Sequence, residues 1–98
     1  MSVNFKIELC GNPDYVQIHT TEILPRFGSM VSESNTEAGK ELQNKLEVIP
    51  GVEECSCFNK YSMSLEVANL FDRKQVAEQA IEILRKYFEE KEANNVST

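Results

Sequence analysis

The sequence predicts an α+β domain: a mainly antiparallel sheet with two helices on one face, in the order β-β-(β)-α-β-β-α. Three observations lead to it. Near the N-terminus Val3, Phe5, Ile7 and Leu9 alternate with Asn4, Lys6 and Glu8. The same alternation returns later, where Tyr61, Met63, Leu65 and Val67 are interleaved with Ser62, Ser64 and Glu66. Between and after these stretches the apolar spacing changes to three and four, in Ala38, Leu42, Leu46, Ile49 and again in Val76, Ala77, Ala80, Ile81, Leu84, Phe88. A two-residue period turns one side of a strand to a core, and a period near 3.6 does the same for a helix.

Taken in order, Val3 to Leu9 is the first strand, and Gly11-Asn12-Pro13-Asp14 is a turn-forming cluster that leads into a second, Tyr15 to Ile18. The two read as a hairpin. Pro25 and Gly28 interrupt the stretch after Thr20, leaving Met30-Val31 as a short edge strand. Ser34 with Glu37 fits a capping box for the first helix, and Pro50-Gly51 stops it, since proline has no N–H and disfavours helical geometry in the residue before it. Val52 to Phe58 and Tyr61 to Val67 form a second hairpin turning at Asn59-Lys60. Asp72 with Gln75 opens the second helix, expected from about Arg73 to about Glu90. Residues 1–90 are therefore expected to form one domain, with 91–98, poor in apolar residues, as a disordered tail.

Composition narrows the class of function. Of 98 residues, 10 are Lys or Arg and 16 are Asp or Glu, a net charge of −6 that repels nucleic acid and anionic membranes. No apolar run is long enough for a bilayer, and the N-terminus lacks the basic-then-apolar layout of a signal peptide, so a cytoplasmic protein is expected. Three cysteines cannot all pair within one chain, and cytosolic thiols stay reduced, which argues against a disulfide scaffold.

Cys55-Ser56-Cys57 is the first chemical candidate, because residues i and i+2 of a strand point the same way and two thiols can share a metal. Structural zinc and clusters usually need four ligands, and no C-x-x-C or nearby His completes a set. The favoured reading makes Cys55 and Cys57 small core residues, with a metal-handling role as the alternative. Cys10 and His19, the one histidine, form a second candidate, a thiol and base across the first hairpin, with no third residue to orient the imidazole. Glu53-Glu54 and Glu89-Glu90-Lys91-Glu92 read as solvated charge, and no glycine-rich phosphate cradle occurs. No catalytic set, cofactor site or metal site is expected.

Leu42 to Val67 reads L-x-x-K-L-x-x-I-P-G-V-x-x-C-x-C-x-x-x-Y-S-M-S-L-E-V. It resembles the N-terminal domain of the NifU-like (Nfu-type) iron-sulfur scaffold proteins, where a helix ends in an L-x-x-I-x-G-V turn and a β-hairpin comes next. Phe71-Asp72 stands where that family starts its last helix, and Asn12-Pro13 lies in register with the family's T-P-N-P-N turn. The resemblance places Cys55 and Cys57 at apolar strand positions. It implies a non-enzymatic accessory or protein-interaction domain of cluster assembly, lacking the C-x-x-C that binds the cluster elsewhere in the family. A heavy-metal-associated ferredoxin-like domain is the weaker likeness, since that family needs a C-x-x-C after its first strand.

An antiparallel sheet with helices on one side leaves the other side free for a protein partner. Ser62, Ser64 and Glu66 are expected on that free face, with Phe27 and Met30, in the loop after Arg26, as an apolar anchor. The competing expectation is that Phe27 and Met30 fold back over the sheet edge. Oligomeric state is left open.

Overall fold

A computed structural model describes residues 3–9, 11–27 and 37–96, with side chains up to Lys91. Its elements are β1 (Phe5–Leu9), β2 (Tyr15–Thr20), α1 (Glu37–Glu47), β3 (Val52–Asn59), β4 (Ser62–Val67) and α2 (Arg73–Val96). The strands form one antiparallel sheet in the order β1-β2-β4-β3. The α+β class and the order β-β-α-β-β-α are as the sequence predicts. Met30-Val31 and the Ser34 cap lie outside the described residues.

Side chains close to the backbone set the turns. Asn12 Oδ1 accepts the Asp14 N–H at 3.0 Å, and the Asn12 carbonyl accepts the Tyr15 N–H at 3.2 Å, an Asx turn that reverses the chain from β1 into β2. Arg73, at the start of α2, donates to the carbonyls of Asn12 and Tyr15 at 3.1 and 3.0 Å, tying that turn to the last helix. Asp72 caps α2: its Oδ1 accepts the Lys74 N–H at 2.9 Å. In the second hairpin Asn59 pairs with Ser62, so the turn is Lys60-Tyr61, one residue later than expected. The reason is local, because Asn59 Oδ1 accepts the Tyr61 N–H at 2.8 Å and the ladder slips at Phe58. Tyr61 consequently leaves β4 and stands half-exposed.

One core lies between the sheet and the helices. Val16 and Ile18 of β2, Cys55 of β3, and Met63, Leu65 and Val67 of β4 meet Leu42 and Leu46 of α1 and Val76, Ala77, Ala80, Leu84 and Phe88 of α2. Phe5, Ile7, Val52, Cys57 and Ile81, also expected in the core, are partly buried at its margin. Phe5 packs on Phe88, with 6.3 Å between ring centroids, which seats α2 over the β1 side of the sheet.

Two expectations are corrected. The helix does not give way to a tail after Glu90; it continues to Val96. Glu, Lys and Ala are strong helix formers, so backbone hydrogen bonding propagates through Glu89-Glu90-Lys91-Glu92-Ala93, past Phe88, the last residue buried in the core. Phe27 is not an exposed anchor but 2 % accessible. The segment after β2 runs past the tip of the second hairpin, with the Leu24 N–H on the Lys60 carbonyl at 2.8 Å. It then reaches the outer edge of β3, where the Cys57 N–H bonds the Phe27 carbonyl at 3.1 Å. That path carries the side chains of Leu24 and Phe27 under the sheet into the core.

Candidate protein-interaction face

Opposite the helices, among the described residues, the sheet carries only its own side chains. The pairing registers place Lys6 and Glu8 of β1, Tyr15, Gln17 and His19 of β2, Ser62, Ser64 and Glu66 of β4, and Glu54 and Ser56 of β3 on this face. Serine opposite serine in the Ser56–Ser64 pair, beside Gln17, makes its centre small and polar. Acidic groups flank it. Glu66 is the main reason the Tyr15 phenol lies above its ordinary value of 10.0, with desolvation, Glu54 and Asp14 adding to the effect.

At the end of the face nearest the second turn, His19 is held from both sides. Its Nε2 lies 3.0 Å from Glu8 Oε1 and its Nδ1 lies 2.6 Å from Ser62 Oγ. A carboxylate only accepts, so Nε2 carries a proton; in the neutral ring Nδ1 is then bare and accepts the Ser62 hydroxyl. The edge of the ring also meets Phe58, with 6.4 Å between centroids. Hydroxyl, imidazole and carboxylate in sequence is the order found in nucleophilic catalysis. Here Ser62 is 5 % accessible, and its hydroxyl is occupied by the imidazole beneath the surface of the face.

The expected interaction residues are thus separated. Ser64 and Glu66 sit half-buried on the open face, Ser62 lies beneath it as a support for His19, and Phe27 is in the core on the other side of the sheet. Met30 and Cys10 lie outside the described residues. From the sequence His19 reads as a surface residue, with a base for Cys10 as the lesser alternative. The signal for its real neighbours was the two-residue period, which puts His19, Glu8 and Ser62 on one face once β2 is known to lie between β1 and β4.

Cys55 and Cys57 point to the helix side. The Cys55 thiol lies 4.0 Å from the Gln43 carbonyl, and the Cys57 thiol lies 3.5 Å from the Pro25 carbonyl. Burial pushes the Cys55 thiol up to about 12 and the Cys57 thiol up to about 11, so each is held as a neutral thiol. Among the described residues no three His, Cys, Asp or Glu side chains are grouped to hold a metal ion. No helix among them is long and apolar enough to cross a membrane. The chain matches no protein-family model, no curated protein and no solved structure.

Proposed function

We propose that this chain is a non-enzymatic interaction module that docks a partner protein through the open face of its sheet, an accessory role like that of the NifU-like N-terminal domain it resembles. The observation that carries the reading is the face itself: a small polar centre at Gln17, Ser56 and Ser64, bordered by Tyr15, Glu54 and Glu66, with nothing of the chain's described residues packed over it. Its acidic rim suits a partner with a basic surface and repels nucleic acid. Free thiols at Cys55, buried, and Cys57, half-buried, fit a reducing compartment such as the cytoplasm. A Cys10/His19 enzyme is less well supported, because both ring nitrogens of His19 are engaged by Glu8 and Ser62 and a thiol would have to displace one of them.

The test is capture from the native host with three baits. Wild type and Glu82→Lys, a charge reversal on the exposed side of α2, are expected to recover the same partner, and Glu66→Lys is expected to lose at least nine-tenths of it. Equal recovery by all three baits, or none by wild type, rejects the reading.

A further inference from the structure

β1 is an outer strand of the sheet, and its hydrogen-bonding direction is set by its neighbours. Asn4 pairs inward, its carbonyl accepting the Thr21 N–H at 3.2 Å, and Thr20 turns its own N–H away to the Tyr61 carbonyl at 2.8 Å. Peptide groups alternate in direction along an antiparallel strand. Lys6 and Glu8, opposite His19 and Gln17, therefore bond into β2, and the N–H and C=O groups of Phe5, Ile7 and Leu9 point out of the sheet.

The residues along that edge match an inverted copy of themselves. When two β1 strands run antiparallel about Ile7, Ile7 meets Ile7, Phe5 meets Leu9 and Lys6 meets Glu8. The outward peptide groups fall in the hydrogen-bonded positions. Lys6 and Glu8 fall in the non-hydrogen-bonded positions, where side chains approach most closely. By symmetry the charge pair forms twice. On the helix side Leu9, 52 % accessible, gains an apolar neighbour in Phe5 of the other copy. On the open side Glu8 has one oxygen on His19 and a second within reach of the incoming lysine.

We infer that β1 is a homodimerisation edge, joining two copies about a two-fold axis at Ile7 into one eight-stranded antiparallel sheet through Lys6–Glu8 pairs. The occupant is a second copy because the charges complement only in the inverted register; a one-residue slip sets Phe5 against the charged face and destroys the match. This assembly is separate from partner docking on the open face, which a monomer could also perform. Its continuous face would carry two docking sites.

Sedimentation of the full chain from about 10 µM to about 1 mM tests the inference, a range that brackets the affinity of a small strand-edge interface. Wild type is expected to pass from monomer to dimer. Lys6→Glu and Glu8→Lys alone each set like charges opposite one another and are expected to weaken the dimer at least about tenfold, and the double variant Lys6→Glu/Glu8→Lys is expected to restore it. Both positions are exposed in the monomer. Glu8→Lys also releases His19 Nε2, a loss the double variant shares, so restored dimerisation in the double variant separates that effect from the charge match at the edge. Amide exchange in wild type supplies a second readout, with the N–H groups of Phe5, Ile7 and Leu9 slowing as concentration rises and those of Lys6 and Glu8 unchanged. A chain that stays monomeric to about 1 mM, or a dimer that the single reversals leave intact, overturns the inference.

Discussion

The thiols at Cys55 and Cys57 show how placement within a strand decides chemistry. Both face the helices, Cys55 fully buried and Cys57 partly so, and desolvation is the leading cause of each raised pKa. At pH 8 the native protein is expected to react with a maleimide at these two positions at least about a hundred times more slowly than the urea-unfolded chain, since only the thiolate attacks. Peptide mapping by mass spectrometry reads each position separately from Cys10; equal rates in the native and unfolded states would show that the thiols are not shielded. The shifts also set a pH dependence. A folded-state pKa above the unfolded value contributes stability that is complete below the unfolded pKa and is lost as pH rises through the folded one. The window for Cys55 and Cys57 thus opens near 9 and closes near 11 to 12.

At the scale of elements, the junction between α1 and β3 depends on one glycine. Gly51 adopts φ +95°, and a Cβ there would lie 2.5 Å from Phe71 Cγ and 2.9 Å from Phe71 Cβ. Its carbonyl accepts the Ala68 N–H at 2.8 Å, so the same residue joins the start of β3 to the end of β4. Gly51→Ala adds a left-handed conformation unfavourable to side chains and a clash at the root of Phe71, for a cost of about 2 to 4 kcal/mol. A thermal melt should fall by roughly 10 °C or more, and a shift within a few degrees would mean that the turn relaxes freely. The Ile-Pro-Gly-Val run signalled a stop in the sequence. That the glycine also accommodates an aromatic ring from the turn between β4 and α2 was not legible there, because Phe71 is brought to it by the return of β4.

For the whole molecule, Leu65 tests whether the sheet and both helices share one core. It is fully buried and paired with Val16 on one side and Cys55 on the other. Leu65→Asp combines a lone buried charge, costing about 3 to 5 kcal/mol, with the loss of a core leucine, against a total stability of about 5 to 15 kcal/mol. Circular dichroism is expected to show no cooperative melt, and an unchanged melt would remove Leu65 from the core. Alternation in β1 and β4, helical spacing in α1 and α2, and the turn residues Asn12, Asn59 and Pro50-Gly51 were enough to determine the class and order of elements, because period and turn chemistry are local properties of the chain. What lies beside what is not local. The order β1-β2-β4-β3 alone brings Glu8, His19 and Ser62 together, leaves β1 as an outer strand, and draws Phe27 beneath the sheet while Ser64 and Glu66 stay on the open face. Those placements were decided by burial of one shared core, which rewards strands far apart in sequence for pairing and assigns each side chain its side of the sheet.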